Sequence, residues 1–381
     1  MRFDWHNPVK VLFGEGRIAD LAAEIPPGVR ILVLSGGGSI RANGVYDQVA
    51  AALAGRDWAE FRGIGANPEY TVLMRAVEQV RSGGFGFLLA VGGGSVLDGT
   101  KFVAAAAPFA GDPWDICAAA APVAAAVPLG AVLTLPATGS EMNGASVVSH
   151  AERGEKRYFI SPLVLPRFAV LDPATTRSLP PRQVGNGIVD AWVHICEQYL
   201  VDRRGSEVQD RQAEALLLAL RDLAPRVAAG RDDPAALAGM MWAATNALNG
   251  LIGVGVAQDW ATHMIGHELT ALTGMDHART LAVVLPALLR HRRTVKGPRL
   301  LQYAERVWDL RDGPSDARIE TAIARTEAFF HSVGVPTRLA DHGIDAGIAD
   351  RIADRLAGRG GLGEDGGIDA AAVRAILRGA A

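Results

Sequence analysis

With 381 residues, 49% of them hydrophobic and 21% charged, the chain has apolar material for two packed domains and little that reads as disorder. A formal net charge of −3 gives no electrostatic case for nucleic acid or an anionic membrane surface as a partner. The two cysteines, Cys117 and Cys196, make no disulfide framework, which fits a reducing, cytoplasmic compartment.

Residues 1–10 carry Asp4, His6, Asn7 and Pro8 where a signal peptide needs an unbroken apolar stretch. Residues 29–35 form a β-branched and leucine-rich run that stops at Gly36-Gly37-Gly38. Residues 85–91 do the same and stop at Gly92-Gly93-Gly94. Helical patterns at 45–53 and 71–81 lie between them, and further strand-like runs follow at 131–135 and 169–171. The uncharged stretch 118–137 is broken by Pro122, Pro128, Gly130 and Pro136, so it does not read as a spanning helix. Buried strands alternating with helices predict a parallel, Rossmann-like α/β sheet. Near Pro180-Pro181 the texture changes to helical patterns at 187–200, 207–224, 234–248 and 319–331, with no strand run. The expected organisation is an α/β dinucleotide-binding domain over 1–181 and an all-α domain over 182–381. The glycine-rich stretch 358–367 reads as a surface loop before a last helix.

Gly92-Gly93-Gly94-Ser95 lies between a predicted strand and a helix expected over 96–107. Glycines there let the backbone approach a phosphate at a helix amino terminus. Asp98 is expected in the first helical turn, where a carboxylate also suits the helix dipole. Leu135-Pro136-Ala137-Thr138-Gly139-Ser140-Glu141 follows another strand; it brings hydroxyls to the same sheet edge, or serves as a plain helix cap. An NAD site usually has an acidic side chain after its first nucleotide strand, and none lies between Arg30 and Tyr46. Exposed amides, two serines and Arg41 stand there instead, which favours the 2′-phosphate of NADP.

In the helical half, Asp190 and His194 are four residues apart, as are His263 and His267, so each pair shares a helix face one turn apart. His277 follows past a turn around Gly274. Taken singly, each histidine reads most simply as a hydrogen-bonded core residue. Taken together, one carboxylate and three imidazoles make a site for a divalent first-row metal with an open position. Zinc, iron(II), manganese or nickel all suit that donor set, with zinc or iron the expected occupant.

The run from Gly92 to Lys101, the Ala137-Thr138-Gly139-Ser140-Glu141 turn and the Asp/His constellation resemble the iron-containing (group III) alcohol dehydrogenases. Within that family the NADPH-dependent aldehyde reductase and butanol dehydrogenase branch is the best match, from Val9 to the last helices. The resemblance implies an amino-terminal dinucleotide domain and an all-helical metal domain, the arrangement shared with dehydroquinate synthases. It implies Asp190, His194, His263 and His277 as metal ligands, with His267 beside the nicotinamide or substrate as a proton relay. It places Gly93, Gly94 and Ser95 at the pyrophosphate and Asp98 near the nicotinamide. Thr134 and Thr138 match nucleotide-contacting positions, and Lys156 matches a lysine reaching the cofactor ribose. Gly37, Gly38 and Ser39 resemble the turn that holds the extra phosphate of NADP. The chain departs from the commoner pattern in having glycines where many members have an aspartate, and His277-Ala278 where many have His-Gly.

The expected function is a cytoplasmic, homodimeric, metal-dependent NADP(H) alcohol dehydrogenase or aldehyde reductase acting on a small aldehyde/alcohol pair. Trp242, Trp260 and Met264 fit an apolar substrate pocket or a plain core role equally well. Two alternatives stand beside this reading. One is a metal-assisted lyase on the same scaffold, disfavoured by the few Arg and Lys around Asp190 and His263. The other is a non-catalytic NADP-binding sensor, which leaves a complete metal site without a purpose.

Overall fold

The computed structural model describes residues 2–202, 205–230 and 232–381. The chain forms two units. One comprises His6–Leu179 and Arg231–Thr245; the other comprises Met1–Trp5, Pro180–Gly230 and Asn246–Ala381.

The first unit holds a six-stranded parallel sheet of β1 (Lys10–Phe13), β2 (Ile31–Ser35), β3 (Trp58–Arg62), β4 (Phe87–Gly93), β5 (Leu129–Leu135) and β8 (Phe168–Leu171), in the order β1-β8-β5-β4-β2-β3. An antiparallel hairpin, β6 (Ala145–His150) and β7 (Glu155–Ile160), stands apart from it. The helices of this half are α1 (Ser39–Ala42), α2 (Val45–Ala52), α3 (Tyr70–Gly83), α4 (Gly94–Ala106) and α5 (Asp115–Ala118). Continuous apolar runs are needed because both faces of the sheet are covered. Leu32, Leu34, Leu88 and Ala90 enter one core with Leu73, Val77 and Phe102, while Ile31, Val33, Phe87 and Leu89 enter another with Val45 and Val49.

From β2 the chain crosses to β3 on one side, and from β4 it proceeds to β5 on the other. The turns after β2 and β4 therefore sit at a topological switch point, where ligands bind in open α/β sheets. They are the two triple-glycine turns.

The second unit is helical: α6 (Pro181–Tyr199), α7 (Glu207–Ala229), α9 (Ala261–Thr273), α10 (His277–His291), α11 (Gly297–Arg306), α12 (Ser315–Ser332), α13 (Ile348–Leu356) and α14 (Ala370–Gly379). Helix α10 is its spine, packed against α6, α9, α12 and α14. Gly266 lets α9 come close to α10, because a β-carbon there would lie 2.8 Å from Thr280 Oγ1. None of the described helices is long and apolar enough to cross a membrane.

The structure differs from the sequence reading in three respects. Strands β1, β3, β6 and β7 were not anticipated. Helix α4 begins at Gly94 rather than residue 96, so Asp98 lies beyond the first turn. The stretch 231–245, most of α8 (Pro234–Ala247), groups with the α/β unit although it follows Pro180 in sequence. There Met241 enters the sheet's core and Trp242 meets the Phe13 ring edge-on at 5.8 Å. The 358–367 loop is mostly exposed and precedes α14, with Glu364 held against Lys296.

Candidate functional site

In the α/β unit, Gly93 ends β4 and Gly94 and Ser95 open α4, whose amino terminus has no side-chain cap. Its first-turn N–H groups are thus left for a ligand, as an anion-binding helix terminus requires. Gly94 must be glycine: a β-carbon there would lie 2.5 Å from Thr138 Oγ1. Thr138 in turn accepts the Ser140 N–H at 3.2 Å, and Thr134 is buried within β5. The turn after β2 is open. A β-carbon on Gly37 or Gly38 would meet nothing within 4 Å, and Gly38 sits at φ +132° just before Ser39 opens α1.

Beside that turn stands an acidic side chain that the sequence reading missed. Glu60 of β3 accepts from Arg41 Nη2 at 2.5 Å and from Ser35 Oγ at 3.4 Å. Arg41 also lies 3.5 Å over the Tyr46 ring. The acid comes from the neighbouring strand, so no search along residues 30–46 could find it. Lys156, buried on β7, donates to Asn67 Oδ1 at 2.9 Å.

Asp98 is bound into its own unit. Its Oδ1 accepts from Ser140 Oγ at 2.6 Å and its Oδ2 from the Val147 N–H at 3.0 Å. The fully buried Lys101, three residues on, donates to Ser140 Oγ at 2.8 Å, Ala145 O at 2.8 Å and Asn143 Oδ1 at 3.1 Å. Glu141 accepts from Thr245 Oγ1 at 2.6 Å. Burial pushes the Asp98 and Glu141 carboxyls up and pulls the Lys101 ammonium down to about 8. These groups lock α4, the 138–143 turn and β6 together, so the turn after β4 rests on a buried polar frame. The spacing of Lys101 from Asp98, one helical turn, was the available signal for it.

In the helical unit the predicted metal residues converge. Asp190, His263 and His277 each place one ligand atom within 4.8 Å of the other two. His277 Nε2 and His194 Nε2 each lie 3.7 Å from Asp190 Oδ1. The His194 ring stacks on that of His263, with centroids 4.7 Å apart. His267 lies alongside, 5.3 Å from His277 between centroids. All but His277 are buried. Arg182 Nε and Asn186 Nδ2 on α6 donate to Asp276 Oδ2 at 2.8 and 2.9 Å, which fixes the start of α10 and hence His277. The donor set fits a divalent first-row cation. Among the described residues, His263 Nε2 is buried without a hydrogen-bond partner, a costly state that a bound cation would relieve.

One neighbour went unpredicted. Glu197 accepts from His263 Nδ1 and, at 2.6 Å, from the Thr262 N–H. It lies seven residues past Asp190 on the same face of α6, a periodicity that could have singled it out. Trp260, just before α9, holds a left-handed backbone (φ 64°) that bulky residues rarely adopt, with its ring 5.2 Å from His263. Met264 is half-buried on α9 and Trp242 is exposed in the other unit.

Comparison with known proteins agrees with this geometry. Residues 8–173 match the family model for iron-containing alcohol dehydrogenase, and residues 185–380 match the carboxyl-terminal model of the Fe-containing alcohol dehydrogenase family. The chain is 54% identical over 346 residues to the NADPH-dependent aldehyde reductase YqhD of Escherichia coli K12, covering 90% of this chain and 89% of the relative. It is 39% identical to a probable NADH-dependent butanol dehydrogenase of Bacillus subtilis, covering 90% of each. The crystal structure of E. coli YqhD superposes with a TM-score of 0.98 at 51% identity, covering 100% of this chain and 99% of that one. That of an NADH-dependent butanol dehydrogenase A from Thermotoga maritima does so with a TM-score of 0.95 at 35% identity, covering 100% and 98%. The chain belongs to the iron-containing alcohol dehydrogenase family and is an alcohol/aldehyde oxidoreductase of that fold.

Proposed function

We propose that the chain is a metal-dependent aldehyde reductase that uses NADPH to reduce short-chain aldehydes, with residues 1–181 binding the nucleotide and residues 182–381 binding the metal. The observation that carries this is the cluster of Asp190, His263 and His277, with His194 Nε2 3.7 Å from Asp190 Oδ1, which fits a divalent cation, in a chain whose other half presents two glycine turns at a sheet switch point. The 54% identity to an NADPH-dependent aldehyde reductase supports the direction and the cofactor.

In this reading Asp190, His194, His263 and His277 hold the metal, which when bound supplies Lewis acidity to the substrate oxygen. Gly93, Gly94 and Ser95 receive the pyrophosphate at the amino terminus of α4. Gly37, Gly38 and Ser39, with Arg41, receive the 2′-phosphate. Thr134 and Thr138 line the nucleotide, and Lys156 reaches its ribose. Asp98 holds the nicotinamide-side turn through Ser140 and Val147. A proton is handed on from a ring nitrogen of His267, one turn along α9 from His263.

Loss of NADPH absorbance with a panel of short aldehydes, with NADH in parallel, before and after chelation, tests the proposal. The expected result is chelator-sensitive turnover strongly favouring NADPH. Absence of turnover with either cofactor after zinc, iron(II), manganese or nickel is restored would overturn it and favour the lyase or the sensor. His267→Ala should lower turnover about 10²-fold or more and change its pH profile; an unchanged rate and profile would remove the relay. Work in the cytoplasm is supported by the buried free thiols Cys117 and Cys196. A homodimer is supported by family resemblance, and light scattering should give twice the chain mass.

A further inference from the structure

We propose that Glu197 is a positioning residue of the metal centre, which sets the proton of His263 on Nδ1 and so leaves Nε2 for the cation. This rests on reading His263 as a ligand together with Asp190, His194 and His277. Glu197 is buried on α6, three residues past His194 and seven past Asp190, so all three side chains lie along one face. Its carboxylate is used on both oxygens: Oε1 accepts the Thr262 N–H at 2.6 Å and Oε2 accepts from His263 Nδ1. Its main-chain carbonyl accepts the Asp259 N–H at 2.9 Å.

Glu197 therefore grips the start of α9 at three points. The second N–H of a helix has no partner within the helix, and α9 has no side-chain cap at Trp260, so buried Thr262 needs an acceptor from elsewhere. A carboxylate at a helix amino terminus also suits the dipole. The same carboxylate offers only acceptors, so the neutral His263 ring must present Nδ1–H to it. The lone pair is then on Nε2, the buried nitrogen with no hydrogen-bond partner among the described residues. One carboxylate thus fixes ring orientation and tautomer together.

The amide of Glu197→Gln replaces one acceptor with a donor. Either Thr262 N–H loses its partner, or His263 moves its proton to Nε2 and closes the ligand position. Zinc titration of the full-length wild type and Glu197→Gln against a chromophoric chelator should give one equivalent bound by the wild type. The variant should bind about 10- to 100-fold more weakly. Equal affinities would overturn the inference. A wild type that takes up no zinc would instead overturn the metal reading on which it rests. The ¹⁵N spectrum of metal-free wild type checks the tautomer without any variant. A proton on His263 Nδ1 is expected, and a proton on Nε2 would overturn the inference whatever the variant does. A merely structural role for Glu197 would leave that signature unset.

Discussion

In the turn after β2, the Arg41 guanidinium is already shared between the Glu60 carboxylate and the Tyr46 ring. A 2′-phosphate on Gly37 and Gly38 would draw on the same guanidinium, so Glu60 competes with it. Arg41→Ala should raise KM for NADPH about tenfold and leave NADH little changed, because only NADPH gains a charge-assisted contact there. Glu60→Gln should move KM for NADPH the other way. Equal effects on the two cofactors in both variants would sink the assignment. The residues of this site were unequally legible in the sequence. Asp190, His194, His263 and His267 stand out because buried helices repeat them at one-turn spacing. Glu197 has the right periodicity, but glutamate is an ordinary helix residue and draws no notice until His263 is seen against it. Glu60 reaches Ser35 and Arg41 only through the pairing of β2 with β3, a non-local fact that spacing does not carry.

Among the elements, the strands that the sequence concealed are short or two-faced. β1 and β3 are edge strands, and β3 reads Trp-Ala-Glu-Phe-Arg, with polar residues where a central strand would be apolar. β6 buries only alternate residues and β7 only Lys156 and Phe159, so neither shows a continuous apolar run. The glycine-rich loop at 358–367 is mostly exposed, as its glycines announce. Within it Glu364 accepts from Lys296 Nζ at 2.9 Å, and Lys296 also lies 2.7 Å from Asp259 Oδ2. Burial, reinforced by its hydrogen bond with Asp259, raises the Glu364 carboxyl from 4.5 to about 7. A group whose folded-state pKa is raised gives stability that is present below 4.5 and lost as pH rises through about 7. Glu364→Gln keeps the neutral form at every pH. The stability difference, variant minus wild type, should therefore increase from about pH 5 to about pH 8 in urea melts. A difference independent of pH would show that Glu364 does not titrate in that window.

For the whole molecule, the change of texture at Pro180 marked a real change of architecture, from a parallel sheet to packed helices. The segment Arg231–Thr245 escaped because nothing in its composition separates it from the helices around it; only the burial of Met241 and the Thr245–Glu141 bond assign it to the α/β unit. The division of labour proposed for the two parts has a consequence for the intact chain. A ligand at about a hundred times its Kd stabilises the state it binds by about 2.7 kcal/mol, which for amides that exchange by opening that site means about 100-fold slower exchange. Zinc should slow exchange in α6, α9 and the first turn of α10, where Asp190, His194, His263 and His277 lie. NADPH should slow it in peptides holding Gly37 to Arg41, Gly93 to Asp98 and Thr138 to Glu141. Hydrogen exchange read by mass spectrometry on the full chain, with each ligand alone and then both, checks this. Zinc protection at the glycine turns with none in α6 and α9, or NADPH protection confined to the helical unit, would overturn the assignment of nucleotide and metal to separate parts of the chain.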